Sequence, residues 1–312
     1  MNYIGIDLGG INIAVALVSE EGQILARHSC PTPRGPEAVA DAIAAEVREV
    51  LSRTGETEVP YLGLGTPGTI DPEKGVVEYW SNLDFRHVPL ADMLKERLGL
   101  PVLMENDANC AALGEYIAGA GRGSRSMVVI TLGTGVGGGA VLNGKLYTGF
   151  NYAGMEVGHF VIEHGGRPCT CGRMGCFEAY CSATALIHQA RLAMEREPGT
   201  LLWKLAGSPD KVDGKMIFEA LAQNDETAIE LVRQFTDYLG CGVTSLVNIF
   251  QPEVFCIGGG ISNAGEALLG PVRAILDRED YARHNAARTR LQRAELGNDA
   301  GIIGAALLQK FR

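Results

Sequence analysis

Asp7-Leu8-Gly9-Gly10 and Leu132-Gly133-Thr134-Gly135 decide the fold, because each ends an apolar strand in a glycine corner and each opens a hairpin. Around the first, residues 3–9 alternate and are β-branched, a second run follows at 13–18, and the acidic turn Glu20-Glu21-Gly22 leads into a third at 23–27. That is the pattern of a β-meander. Around the second, runs at 127–132, 138–142 and 145–148 repeat the plan, with Asn143-Gly144 as a two-residue hairpin turn. One unit used twice predicts two lobes facing each other across a cleft. Between the copies the spacing predicts a helix over 36–53, a strand over 60–64, and a strand over 102–104 running into an alanine-rich helix from about Asp107. Residues 119–124 read as the inter-lobe linker. The second half closes with an apolar strand at 254–257, the triplet Gly258-Gly259-Gly260, a helix from about 264 to 276 and a last helical stretch over 300–308.

Length and composition bound the function. A chain of 312 residues divides naturally into two lobes of about 150 each. Hydrophobic residues at 46% and charged residues at 21% give the balance of a globular enzyme. A net charge of −10 argues against nucleic acid as a partner, since affinity for that polyanion comes from Lys and Arg. No apolar run reaches the roughly 18–20 residues that span a bilayer, and the first residues lack the basic and apolar regions of a signal peptide. A cytoplasmic protein without a membrane partner is expected. In that compartment eight cysteines are not a disulfide framework, and four of them crowd between Cys169 and Cys181, which points to a metal.

Phosphate oxygens need several converging donors, and glycine lets backbone N–H groups approach them without a Cβ in the way. Two such corners on opposite walls of a cleft suit a nucleotide, and Asp7 beside the first can hold Mg²⁺ directly or through water. Either corner alone is explained by an ordinary hairpin; the repetition favours phosphate. Two look-alikes fail on context. Gly133-x-Gly135-x-x-Gly138 matches a dinucleotide fingerprint but leads into a hairpin instead of a helix, and Gly139-x4-Gly144-Lys145 resembles a P-loop with Leu146 where Mg²⁺ needs Ser or Thr. The run Gly258 to Gly260 lets a flat ring lie against the backbone, although a strand-to-helix turn explains it almost as well.

Glu105-Asn106-Asp107-Ala108-Asn109 follows a strand and opens a helix. An isolated Asn-Asp pair there is usually a helix cap, but two amides flanking an acid also suit a polyol. A sugar hydroxyl is a poor nucleophile, and a carboxylate that takes its proton during phosphoryl transfer is worth about 10²–10⁴ in rate. Asp107 is the candidate base. Cys169-x-Cys171-x4-Cys176, with His159 ten residues upstream of Cys169, supplies three thiolates and an imidazole, the closed tetrahedral set of a structural zinc. Zinc there fixes the loop that carries Glu156 and Glu178, whose carboxylates can accept hydrogen bonds from sugar hydroxyls. The remaining cysteines, Cys30, Cys110, Cys181, Cys241 and Cys256, are expected to pack as small hydrophobes.

With these residues in place, the chain resembles the ROK family (repressors, open reading frames and kinases) over nearly its whole length. The resemblance rests on Asp7-Leu8-Gly9-Gly10, Gly65-Thr66-Pro67-Gly68, the stretch from Glu105 to Asn109, the glycine-rich run from Leu132 to Gly139, Glu156-Val157-Gly158-His159, and the cysteine motif through Glu178. Residues 178–186 look most like the bacterial glucokinases of that family. The resemblance implies an α/β, two-lobe actin-like (ribonuclease-H-like) ATPase fold with a central cleft. Its lobes would be residues 1–118, joined by a C-terminal helix over 298–312, and residues 119–297 with the zinc loop. It implies ATP-dependent phosphorylation of a hexose, glucose first, with Asp107 as base and Gly68, Asn82, Asn106, Glu156, His159 and Glu178 around the sugar. Mg-ATP would lie on Asp7, Gly9, Gly10, Asn12, Thr134, Gly135, Gly258, Gly259 and Gly260, in a homodimer or homotetramer.

One residue departs from the family pattern. Ile11 stands where most family kinases carry Thr after the paired glycines, which predicts weaker ATP binding or slower turnover. The competing expectations are kinases of N-acetylmannosamine, N-acetylglucosamine or fructose, a catalytically silent sugar binder, and a sugar-sensing repressor. A repressor of this family adds an N-terminal DNA-binding module, whereas the phosphate strand here starts at Tyr3. Asp107 argues against the silent binder.

Overall fold

The structure, a computed structural model, describes residues 1–311. It opens with β1 (Asn2–Leu8), β2 (Asn12–Ser19) and β3 (Ile24–Pro31), an antiparallel meander in which Asp7 faces Ala14 and Leu8 faces Ile13. Helix α1 (Pro36–Thr54) has proline at its first turn and ends on left-handed Gly55, both standard helix punctuation. Its buried stripe of Val39, Ala40, Ile43, Val47 and Val50 recurs at helical spacing and lies against β2 and β3. Strand β4 (Leu62–Thr66) then runs parallel to β1, placing Gly65 beside Asp7. A small antiparallel sheet of β5 (Thr69–Asp71), β6 (Val76–Trp80) and β7 (Phe85–Val88) precedes α2 (Leu90–Leu98). Strand β8 (Val102–Asn106) lies parallel to β4 with Asn106 beside Thr66. The main sheet thus has the order β3-β2-β1-β4-β8. Because β1, β4 and β8 are parallel and in register, the carboxyl ends of all three meet at one edge, where open α/β sheets bind ligands.

Helix α3 (Asp107–Ala118) starts directly from β8. Strands β9 (Met127–Leu132), β10 (Val136–Leu142) and β11 (Lys145–Leu146) follow. Asn143 and Gly144 join β10 to β11 with φ of 52° and 78°, the signature of the tight turn their identities predict. The chain continues through α4 (Glu178–Cys181), α5 (Ala183–Arg196), α6 (Leu201–Ala206), α7 (Gly214–Ala222) and the 25-residue α8 (Glu226–Phe250). It closes with β12 (Val254–Gly258), α9 (Glu266–Glu279), β13 (Arg290–Arg293) and α10 (Asp299–Ala306). The second five-stranded sheet has the order β11-β10-β9-β12-β13.

Two compact units result: Met1–Val128 with Gly139–Met155 and Glu295–Arg312, and Val129–Gly138 with Glu156–Ala294. Their boundary does not follow residue 118. Residues 139–155 group with the first unit because Val141 and Leu146 join Cys110, Leu113, Ala305 and Leu308 in one apolar cluster. The final helix, α10, packs in that unit on α3, β1 and β4. Its approach is so close that a Cβ at Gly5 would lie 2.1 Å from the Ile302 carbonyl oxygen, and one at Gly63 would lie 1.8 Å from that of Ala305. Only glycine fits there.

The cysteine expectation needs one correction. Cys110, Cys181 and Cys256 are buried and Cys30 is half-buried, but Cys241 is exposed, because it falls on the solvent side of amphipathic α8 between buried Gly240 and Gly242. Among the described residues no helix is long and apolar enough to cross a membrane.

Candidate active site

In the first unit the shared sheet edge gathers the residues that the sequence singled out. The turn from Gly9 to Asn12 is closed by the Gly9 N–H on the Asn12 carbonyl (2.9 Å), and Thr32 braces it by donating its hydroxyl to the Gly9 carbonyl (2.7 Å) and its N–H to that of Ile11 (2.8 Å). The N–H groups of Gly10 and Ile11 have no protein acceptor among the described residues. Two donors are therefore available at the turn. Trp80 joins this corner to the 66–68 turn: its ring lies 3.7 Å from where a Gly10 Cβ would stand, and its own Cβ lies 3.0 Å from that of Gly68. Asn82 sits at the same place, with Nδ2 3.5 Å from the Gly10 position.

At the end of β8, Asn106 is the helix cap, its Oδ1 accepting the N–H groups of Ala108 (2.9 Å) and Asn109 (3.3 Å). The bland reading holds for its oxygen and leaves its amide nitrogen for other work. Asp107, half-buried at the first helical position, accepts the Ala108 N–H as well (2.9 Å). Glu105 is only 1% exposed and holds the cap from below, its carboxylate accepting the Asn106 N–H (2.9 Å) and the Asn109 side-chain amide (3.1 Å).

Burial holds the Asp107 carboxyl above the ordinary range, opposed by the N–H groups at its helix start. Burial, then the nearby charge of Asp107, raises Asp7 to about 6 against the lowering effect of Arg27. Two acids short of countercharge fit a cation. Asp7 also faces α10, since a Cβ on Gly301 would come within 3.5 Å of its carboxylate.

In the second unit the corner after β9 stands beside the turn after β12. Gly259 has φ of 83°, and a Cβ on it would come 2.4 Å from the Leu132 carbonyl oxygen, so both conformation and space demand glycine. The corner and turn share a cavity of about 850 Å³, lined by Gly133, Thr134, Ala183, Gly260 and Ile261 and by Asp213, Lys215 and Phe218 around the start of α7. Its volume is that of a small-molecule site.

Sequence reasoning named the glycine wall and missed the α7 wall. The signal was present in Asp213, whose side chain caps α7 by accepting the Met216 N–H (2.8 Å). Thr32 and Glu105 were missed too. Thr32 acts through a contact 23 residues away, which no local pattern reveals, and Glu105 looks from sequence like one more strand-end acid.

The predicted metal ligands converge. The ligand atoms of His159, Cys169, Cys171 and Cys176 all lie within 4.8 Å of one another, with His159 Nδ1 3.8 Å from Cys169 Sγ and Cys171 Sγ 3.6 Å from Cys176 Sγ. A tetrahedral zinc with bonds of about 2.3 Å to sulfur and 2.0 Å to nitrogen has edges of roughly 3.5–3.8 Å, so the set fits that ion. Two strand-like bridges, Val161 to Cys176 and Pro168 to Met174, and the stacked rings of Phe160 and Phe177 (5.0 Å) hold the loop's base. Glu156 is exposed, whereas half-buried Glu178 accepts the Val136 N–H (2.9 Å).

The profile of the ROK family matches residues 3–312. The chain belongs to the ROK family. Among its ROK relatives, glucokinase from Thermotoga maritima is 44% identical, the match covering 100% of this chain and 98% of that one. A ROK family glucokinase from Streptomyces griseus, solved in complex with glucose and AMPPNP, is 38% identical and superposes with a TM-score of 0.83 over 99% of each chain. The ROK hexokinase of Thermus thermophilus is 36% identical with a TM-score of 0.85, over 98% of this chain and 97% of that one. The two-lobe actin-like fold of ROK sugar kinases is therefore the fold of this chain.

Proposed function

We propose that the chain is a glucokinase, transferring the terminal phosphate of ATP to the 6-hydroxyl of glucose. The reading is carried by Asp107, a half-buried carboxylate fixed at a helix start, raised in pKa by burial, and set within electrostatic reach of Asp7 and its glycine corner. A carboxylate raised by burial is more basic than a free one and so better suited to take the proton of an attacking hydroxyl. Full-length likeness to the Thermotoga maritima glucokinase and to a glucokinase solved with glucose and AMPPNP supports both substrates.

Each residue then has a role its surroundings permit. The Asn106 oxygen is occupied by the helix cap, so its amide nitrogen is the group that donates to the sugar, beside Gly68 and Asn82. His159 turns Nδ1 to the cysteines, which leaves Nε2 for a sugar hydroxyl. Glu156 and Glu178 accept from others. In the first unit the N–H groups of Gly10 and Ile11 would serve phosphate oxygens, with Gly9 and Asn12 shaping the turn; in the second, those of Thr134 and Gly135 would do so, with Gly258 at the neighbouring turn. The 850 Å³ cavity would receive the base and ribose against Gly260, with Gly259 shaping the turn before it. Asp7 would hold Mg²⁺, whose contribution when bound is to neutralise charge on the transferring phosphate. His159, Cys169, Cys171 and Cys176 would hold zinc with no open position, so its contribution is structural. The use of ATP argues for a cytoplasmic enzyme.

An ADP-release assay with glucose, fructose, N-acetylglucosamine and N-acetylmannosamine tests the reading. The highest kcat/KM is expected with glucose. A preference for an amino sugar would reassign the substrate, and no ADP from any of them would overturn the kinase.

A further inference from the structure

The metal loop and the phosphate corner meet at a single residue, Val136. Glu178 follows the last metal-ligating cysteine by two residues and puts Oε2 on the Val136 N–H at 2.9 Å. A Cβ on Gly135 would come within 2.3 Å of that same oxygen, so a side chain at 135 would push the Glu178 carboxylate from the Val136 N–H. From the other arm of the loop, a Cβ on Gly158, the residue before His159, would lie 2.4 Å from the Val136 carbonyl oxygen. Val136 is therefore gripped on its N–H side by one arm and on its carbonyl side by the other. The second carboxylate oxygen of Glu178 faces back to the loop, 3.4 Å from the Thr170 hydroxyl and 3.7 Å from Cys169 Sγ.

The rest of the corner is equally committed. Gly133 donates its N–H to the Gly135 carbonyl (3.0 Å) and accepts the Ala183 N–H on its own carbonyl (2.9 Å), and Ala183 begins the helix that follows the metal loop. Only the N–H groups of Thr134 and Gly135 have no protein acceptor among the described residues. They are the two donors left for an anion, and their direction is set by groups that the metal loop supplies.

We propose that Glu178 is a positioning residue for the nucleotide: it transmits the order of the metal loop to the phosphate-binding corner, so that metal occupancy governs ATP affinity even when no sugar is present. The inference rests on the reading of residues 133–135 as a phosphate corner. A carboxylate has about four acceptor sites, so the Val136 bond does not prevent Glu178 from also meeting a sugar hydroxyl. The two roles are separable by experiment, because only one of them acts without sugar.

The test is calorimetric titration of AMPPNP into the sugar-free, zinc-loaded protein, the chelated protein, and the zinc-loaded variants Glu178→Ala and Glu178→Gln. Circular dichroism checks folding, and elemental analysis checks that each variant keeps its zinc. Chelation and Glu178→Ala should each raise the AMPPNP Kd about ten- to hundredfold, the range expected for losing a hydrogen bond to a charged group. Glu178→Gln, which keeps an oxygen for the Val136 N–H, should stay within about threefold of wild type, and chelating Glu178→Ala should add little. An unchanged Kd after chelation or in zinc-loaded Glu178→Ala would overturn the coupling. Loss in Glu178→Gln equal to that in Glu178→Ala would overturn the role given to the Val136 bond. Failure of the wild-type protein to bind AMPPNP at all would instead overturn the kinase reading on which the proposal stands.

Discussion

Asp7 and Asp107 are two carboxyls buried near each other, and their surroundings set how the protein answers to pH. Asp7 rises to about 6 from an ordinary value of 3.8, so between these values the folded state binds more protons than the unfolded one. Its stability contribution is complete in acid and is lost as pH climbs through about 6, by up to about 3 kcal/mol. Asp7→Asn, which carries no charge to desolvate, should therefore melt several degrees above wild type at pH 7 to 8 and lose that advantage near pH 4. Thermal melts of the ligand-free proteins across that range check it, and a variant less stable at every pH would contradict it. A different kind of deficit appears at Ile11, an apolar side chain 81% exposed on the phosphate turn. Its backbone N–H remains available, so Ile11→Thr should lower the ATP KM a few-fold and leave that of glucose alone; steady-state kinetics with unchanged ATP parameters would remove the residue from the account. Asp107 could be picked out from the sequence because an acid between two amides at a strand-to-helix junction has few uses. Thr32 could not, because its task exists only once β2 and β3 have paired.

At the level of elements, local chemistry was readable wherever one element sufficed to explain itself. The meander, α1 between Pro36 and Gly55, the Asn143-Gly144 turn and the start of α3 all follow from residues within the element or next to it. The small β5-β6-β7 sheet escaped notice because its strands are short, one pairing shifts register at Thr69 and Ile70, and Asp84 and His87 adopt positive φ. Helices α5 to α8 were recoverable from their caps, since Ser182, Thr200, Asp213 and Asp225 each accept a helical N–H. What no local pattern conveys is the glycine seam under α10, because glycine in a strand signals equally a bulge, a bend or a close neighbour. The seam makes a sharp prediction. Gly63→Ala drives a methyl into the Ala305 carbonyl, a contact with no flexible side chain to yield, and should cost about 1–3 kcal/mol or more. Chemical denaturation measures it, and stability equal to wild type would mean that α10 is more loosely seated than described.

At the scale of the whole molecule, each unit contributes one braced glycine turn with two amide N–H groups that have no protein acceptor among the described residues, and each sets acids beside it: Asp7 and Asp107 in the first, Glu178 in the second. This doubled design was legible in the repeated hairpins, and the ROK fold explains why it recurs. The metal loop, by contrast, was legible as a ligand set and not as a support for the second turn, because its grip on Val136 depends on where two distant arms close. The claim on which the account turns is that Asp107 takes the proton of the sugar hydroxyl. Its most direct measurement is the rate of glucose 6-phosphate formation by Asp107→Asn, an isosteric change that keeps the helix start, together with glucose and AMPPNP affinities. The account predicts kcat reduced about 10²–10⁴-fold with both ligands bound nearly as in wild type. A variant that turns over at close to the wild-type rate would contradict it.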